Sequence, residues 1–142
     1  MASLIYQSFF DDSLRGLINS ATATFKVMLT TSAYTENKTA QLVRSDVTNE
    51  VAAGAGYTAG GNTVTVTVTK DTTNFRSELS LGGTTWTTTA GTTLTARKAV
   101  YYVSVGSAGT DRLVAIVDFG TDQVASNGGT LTLSASTLRI QN

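Results

Sequence analysis

The sequence predicts an all-β domain: an antiparallel β-sandwich or barrel-like domain with one N-terminal α-helix. Three observations favour this class. Short apolar or alternating stretches recur after residue 24, and Gly, Asn and Asp residues separate them. Threonine, which favours strands, makes up about a fifth of the chain. Proline, which interrupts strands, is absent.

The N-terminal segment LIYQSFFDDSLRGLINS, residues 4–20, holds the one good helical pattern. We expect a helix over residues 8–20 with Ser8 as its cap, and an extended arm over residues 1–7. No linker or internal repeat divides the 142 residues, so we expect a single β domain over residues 1–142. The apolar stripe of this helix comprises Tyr6, Phe10, Leu14 and Leu17 or Ile18.

The rest of the chain reads as seven to nine short strands. Gly-rich or Asn-rich turns are expected at 52–62, 107–111 and 126–129. The strand candidates lie in residues 25–31, 62–70, 74–83 (with a turn at Gly82-Gly83), 84–91, 94–105, 112–120 and 130–140, with a separate last strand over 138–140 as an alternative.

One strand, NTVTVTVTK at residues 62–70, is unusually regular and carries no charge before Lys70. Charges on an exposed strand normally prevent pairing with a wrong neighbour, so this strand is suited to meeting another polypeptide. Period-two alternation points Val64, Val66 and Val68 toward the core. The Thr face then meets a protein neighbour or stays a plain solvent-exposed face. That face comprises Thr63, Thr65, Thr67 and Thr69.

Composition and charge argue against several functions. Ten basic and ten acidic residues give a formal net charge of +0, which offers no field for nucleic acid. The longest apolar stretch, residues 99–105, is too short to span a membrane as a helix, and the N-terminus has no pattern of a secretory signal. Only 14% of residues are charged, which leaves little electrostatic protection against association.

Catalytic motifs are equally weak. Without Cys and His, a nucleophilic triad and the commonest metal ligands are impossible, and we expect no cofactor. The Gly-rich segment 54–61 lacks the spacing of a phosphate loop and precedes a strand, so it is interpreted as turns. The sequence Asp118-Phe119-Gly120 resembles the kinase DFG, but nothing else of a kinase is present.

Two other binding chemistries remain open but are not favoured. Glycoside hydrolysis requires a pair of carboxylates, but the sequence favours none of the candidate pairs. Solvated Asp and Glu side chains in turns and helix caps explain all of these acids. A Ca²⁺ site at Asp118 and Asp122 lacks the EF-hand pattern. The carboxylate pairs are Asp11/Asp12, Glu36/Glu50 and Asp118/Asp122. Sugar stacking would use Trp86, Tyr57, Tyr101 and Tyr102, which core packing explains as well.

Several segments carry a resemblance when taken together and in order. They are DSLRGLIN (12–19), FKVMLTTSAYTEN (25–37), DVTNEVAAGAGYTAGG (46–61), LTARKAVYYVS (94–104) and VDFGTDQ with NGGTLTL (117–133). The chain thereby resembles a family of small structural proteins of tailed bacteriophages over roughly residues 10–135. It departs in the Thr-rich segments 63–73 and 84–93, where the family also varies. These segments are either an adapted contact surface or tolerant exterior.

The resemblance implies a virion component on the capsid exterior, a head decoration (cement) protein, with no enzymatic residues. Its implied partners are the major capsid protein and copies of itself, with no nucleic acid and no membrane. The choice of decoration rests on small size and composition, and a tail or neck subunit (adaptor or tube-associated) is the alternative. A glycan-binding host-surface module is a third hypothesis. The candidate contacts are Leu4, Ile5, Tyr6, Phe9 and the four threonines of the Thr face; for the apolar residues, packing within the chain is the competing interpretation.

Overall fold

The structure, a computed structural model, describes residues 2–141 and confirms the all-β class. Of the described residues, 49% are in strands or bridges and 8% are helical. The elements are β1 (Ala2–Ile5), α1 (Gln7–Leu14), β2 (Phe25–Thr30), a 3₁₀ turn (Arg44–Asp46), β3 (Asn62–Val64), β4 (Val66–Asp71), β5 (Arg76–Leu81), β6 (Thr84–Thr87), β7 (Thr93–Val103), β8 (Arg112–Ser126), β9 (Thr130–Leu133) and β10 (Ser136–Gln141).

The strands form three antiparallel sheets. The large sheet has five strands in the order β1-β8-β7-β2-β3. The small sheet has three strands in the order β10-β5-β4, and β6 pairs with β9 in a separate ribbon. The small sheet and the ribbon pack against one face of the large sheet, as their buried Leu81, Trp86 and Leu131 share one core cluster with residues of β2 and β7.

The large sheet is buried on both faces, which explains its almost continuous apolar strands. One face meets the small sheet and the ribbon through side chains such as Val27 and Tyr101. The other face carries Met28, Val100 and Tyr102, and the long segment between β2 and β3 helps to cover it. A strand that is buried on both faces needs apolar residues at every position. The strands predicted at 25–31, 94–105 and 112–120 follow this rule over residues 27–29, 99–103 and 113–117, and β8 continues past its predicted end to Ser126.

At the start of β3, the backbone approaches β2 so closely that one position must be glycine. Gly61 has a φ of +68°, and a Cβ at this position would lie 1.8 Å from the carbonyl oxygen of Val27 on β2. Only glycine permits both the left-handed backbone and this contact. The Gly-rich segment is therefore a turn that brings the chain back beside β2.

The helix is shorter than predicted and its stripe is different. α1 ends at Leu14, and Gly16 follows with a φ of +74°, so the segment to residue 20 is not helical. Phe9 is buried, whereas Leu14 is 89% exposed. Ser8 does not cap the helix, which begins after Tyr6 without a side-chain cap. The i,i+4 spacing was correct for a helix, but Gly16 ends the regular backbone before the stripe is complete.

The predicted arm is partly a strand of the large sheet. Ala2–Ile5 forms β1 and pairs with residues 115–118 of β8. Residue 1 lies outside the described residues. Tyr6 then turns the chain into α1, because its amide bonds the Val114 carbonyl and its side chain is fully buried.

The strand predicted over residues 62–70 is two strands that belong to different sheets. β3 pairs with β2, and after Thr65 the chain continues as β4, which pairs with β5. Val64 is buried and Val66 is half-buried against the core, but Val68 is 52% exposed. The prediction that all three valines face the core is therefore wrong for Val68, because β4 runs beyond the part of the core that covers it.

Candidate interaction surface

The carboxylates that suggested hydrolysis are engaged within the chain. Asp12 accepts hydrogen bonds from Arg112 at 3.0 Å through both oxygens, and Asp11 pairs with Arg15 at 2.9 Å. These two carboxylates hold α1 against β8 and close a helical turn. Asp11 and Asp12 therefore do not form a free pair of acids at a cleft.

The second predicted pair is separated by its partners. Glu36 forms an ion pair with Lys98, whose ammonium also donates to the Tyr34 carbonyl. Glu50 accepts a hydrogen bond from the Tyr57 hydroxyl at 2.8 Å. Glu36 therefore ties the segment between β2 and β3 to the large sheet, whereas Glu50 bonds within that segment.

Asp118, one member of the third pair, forms hydrogen bonds at a bulge in β8. Asp118 accepts hydrogen bonds from Arg97 at 2.7 Å and from the Gly120 amide at 2.8 Å. Partial burial raises the pKa of Asp118, but these two donors outweigh it and bring that pKa below its usual range. Within residues 2–141, no group of three or more acidic side chains is arranged to hold a metal ion, and Asp122 does not join Asp118 in one.

The aromatic platform expected for sugar binding does not exist on the surface. Trp86, Tyr57, Tyr101 and Tyr102 are each at most 3% exposed. Burial raises the pKa of Tyr102 to about 12, and the hydroxyl donates to the Gly60 carbonyl at 2.6 Å. These side chains are core residues, so the sugar-stacking hypothesis is wrong for this set.

The apolar contact candidates near the N-terminus are mostly interior. Tyr6 is 0% exposed and its hydroxyl bonds that of Tyr34, while Phe9 is 6% exposed. Neither side chain offers surface to a partner. Leu4 and Ile5 are half-buried and pack against opposite core clusters. The competing interpretation, packing within the chain, therefore describes Tyr6 and Phe9.

The threonine candidates are on the surface. Thr63, Thr65, Thr67 and Thr69 are all exposed. Thr67 and Thr69 lie on the outer face of the small sheet, opposite Ser80 and Glu78 of β5. β4 is the last strand of this sheet, so its other edge faces away from β5.

An exposed apolar strip lies next to this edge, and the sequence did not predict it. It lies between α1 and the inner face of the small sheet, and its middle lines a groove of about 300 Å³ together with Ile5 and Leu138. We define the apolar strip as Phe10, Leu14, Val68, Phe75 and Ile140, with exposures of 39%, 89%, 52%, 77% and 64%. Contiguous exposed apolar residues of this kind mark interaction sites more often than chance surface.

Several features of the strip were hidden in the sequence. Ile140 and Leu138 point to the same face of β10, yet only Leu138 packs against the core. Phe10 and Leu14 read as a core stripe because helical spacing does not show which face is covered. The alternation Leu138-Arg139-Ile140 was the available signal, since it marks an apolar face at the end of the chain.

The polar side of the small sheet carries charges of both signs. Glu78 lies 2.9 Å from both Arg76 and Arg139. At the tip of the hairpin, hydrogen bonds from Asn74 hold the pKa of Asp71 below its usual range. The small sheet therefore has an electrically balanced outer face and a mostly apolar inner face.

No helix within residues 2–141 has the length and apolar character needed to cross a membrane. Comparisons with protein-family models, with curated proteins and with solved structures found no match for this chain.

Proposed function

We propose that this chain is a structural protein of a tailed-bacteriophage virion, a decoration protein that binds the capsid exterior and stabilises the head. The observation that carries the proposal is where the resembling segments lie in the fold. Residues 25–37, 94–104 and 117–133 include β2, β7 and most of the second half of β8, the centre of the large sheet. The resemblance therefore covers the centre of the large sheet, together with the segments 12–19 and 46–61 outside it.

One of the two departing segments, residues 63–73, supports the same proposal. Residues 63–73 include β4 and the hairpin tip that follows it, and they are mostly exposed. Surface that varies on a constant framework is typical of a contact surface that differs between partners. The apolar strip, which includes Val68, adjoins this segment.

The chemistry of the surface fits binding and offers little for catalysis. Five of the six acidic side chains proposed for catalysis, all but Asp122, bond cations or backbone amides of the same chain. Much of what remains exposed is hydroxyl and apolar surface, which contacts other polypeptides without the cost of removing water from charges. Stabilisation of a head would be mechanical: many identical subunits would bridge capsomers, and modest contacts would add through avidity.

The test is co-sedimentation of purified protein with undecorated heads. We expect binding at a fixed ratio to the major capsid protein and a higher temperature of head disruption. Protein that stays in the supernatant across the micromolar range would refute decoration.

A matched pair of variants locates the contact. Leu14→Glu places a charge in the apolar strip at a side chain that is 89% exposed, and Val124→Glu places one on β8 at a side chain that is 62% exposed. We expect the first to weaken head binding at least about tenfold and the second to leave it unchanged. Labelled antibody on whole particles separates the alternative, because a tail or neck subunit would mark one vertex instead of the shell.

A further inference from the structure

We infer that β4 is a self-association edge: β4 of one copy pairs antiparallel with β4 of a second copy about a twofold axis at Val68. The small sheets of two copies would then join into one continuous sheet. The inference goes beyond the proposed function, because the pairing is a property of the free protein and is measured without capsids.

The edge of β4 is open along its length. β4 pairs on one side with β5, from Val66 opposite Leu81 to Asp71 opposite Arg76, without a bulge. On its other side no strand of residues 2–141 pairs with it. An unpaired, regular edge is a template for another strand.

The hydrogen-bonding pattern shows which groups face outward. The Gly82 amide donates to the Thr65 carbonyl at 2.7 Å, so Thr65 points its backbone groups toward β5. In an antiparallel ladder this direction alternates. Thr67 and Thr69 therefore also bond β5, and the amides and carbonyls of Val66, Val68 and Lys70 point out of the edge.

This alternation restricts the register of a self-pairing. Outward-pointing residues must meet outward-pointing residues, so Val68 can face Val68 of the second copy on the axis. Val66 then faces Lys70 on the inner side of the joined sheet. On the outer side Thr67 faces Thr69, and Thr–Thr cross-strand pairs are favourable.

Charge and chemistry favour a second copy over an unrelated strand. In this register Lys70 never faces Lys70, and Asp71 never faces Asp71, so no like charges oppose each other. A register shifted toward the hairpin tip would bring Lys70 against its own copy. The net charge of +0 also removes long-range repulsion between copies. The edge is thus complementary to itself in the one symmetry that antiparallel pairing allows.

A small contact area indicates a weak association. The apolar strip exposes on the order of 500 Å² in total, against roughly 800 Å² per partner for a standard interface. Pairing at β4 would cover Val68, which is one of the five residues of the strip. We therefore expect a Kd of roughly 10–100 μM, weak in dilute solution and effective where copies are concentrated.

The absence of Cys from the chain makes a sharp test possible, because one introduced thiol is the only thiol. We propose Val68→Cys and, as the matched control, Val124→Cys on β8, which has a similar exposure. Residues that face each other in a hydrogen-bonded pair have Cα atoms about 5.5 Å apart, within the range of a disulfide. At about 100 μM and mild oxidation we expect Val68→Cys to form disulfide dimers at least about tenfold faster than the control.

A mixture tests the register. Thr67→Cys mixed with Thr69→Cys should give more cross-linked dimer than either variant alone, because each thiol faces the other position. Sedimentation of the wild-type chain, of Val68→Lys and of Val124→Lys gives a measurement without cross-links. We expect the wild type and Val124→Lys to dimerise and Val68→Lys to remain monomeric, with unchanged circular dichroism.

The outcomes are decisive in both directions. A wild-type chain that is monomeric at 200 μM, or Val68→Cys that cross-links no faster than Val124→Cys, would overturn the inference. Dimers that form through another surface would overturn it as well. Free dimers that fail to bind heads would leave this inference standing and refute the proposed function.

Discussion

Replacement of Gly61 by alanine is the sharpest test of how the fold is built. The added Cβ would lie 1.8 Å from the Val27 carbonyl oxygen and 2.7 Å from the Met28 Cα, both backbone atoms of β2. Neither can move without shifting a central strand of the large sheet. The left-handed φ of +68° adds strain of its own for any residue with a side chain.

The magnitude combines three contributions. The backbone conformation costs about 1 kcal/mol, and overpacking against β2 costs roughly 1–3 kcal/mol. Displacement of β3 also exposes part of Val64, which is buried, at about 1 kcal/mol. We expect a loss of roughly 3–5 kcal/mol in the free energy of unfolding, or a fall in Tm of about 10–17 °C for a domain of this size.

Urea denaturation followed by Trp86 fluorescence, together with calorimetry, measures this loss. Two other glycines separate the causes. Gly91 has a φ of +76° but open space around its Cβ position, so Gly91→Ala should cost about 1 kcal/mol. Gly109 has neither feature, so Gly109→Ala should be near neutral. If Gly61→Ala lost no more stability than Gly91→Ala, the close approach of β3 to β2 would be wrong.

Three further predictions concern stability. Burial raises the pKa of all five tyrosines, to about 12 for Tyr101 and Tyr102, so the unfolded chain ionises first as the pH rises. Stability should therefore hold up to about pH 10 and fall between about pH 10 and 12, by up to about 1.4 kcal/mol per pH unit for each tyrosine in urea titrations. Asp111→Ala should lower the free energy of unfolding by about 3 kcal/mol, because this residue is 1% exposed and its carboxylate accepts hydrogen bonds from two backbone amides and a guanidinium. Asp122 is exposed, so Asp122→Ala should change that free energy by no more than about 0.5 kcal/mol. Leu14→Glu should change Tm by less than about 2 °C, since this side chain is 89% exposed; a large fall would place it in the core.

Sequence patterns predicted the strands that are buried on both faces and failed where burial stops. Residues 25–31 and 94–105 were predicted as strands because a short apolar run in a β domain is explained by a strand that is buried on both faces. The run of valines at 64, 66 and 68 is equally regular, yet its last member is exposed. Periodicity shows which residues share a face, and it does not show how far the neighbouring layer extends.

The interaction surface could be predicted only in part for a related reason. The sequence predicted the uncharged Thr face of β4, because this strand carries no charge before Lys70 that would prevent pairing with a neighbour. The apolar strip was not, because Phe10 and Ile140 lie far apart along the chain and meet only through the packing of α1 beside the small sheet. Tyr6 and Phe9, in turn, looked like surface residues of an arm because the pairing of β1 with β8 is a long-range contact.

The way in which the charges cancel has a consequence for kinetics. Arg44 with Asp111, Arg97 with Asp118 and Arg112 with Asp12 each neutralise one another within about 3 Å. Seen from a distance, such a molecule has a potential that decays quickly, so an approaching partner is not guided to it. Encounter rates should therefore lie near the unassisted range of about 10⁵–10⁶ M⁻¹s⁻¹ and should hardly change when ionic strength varies.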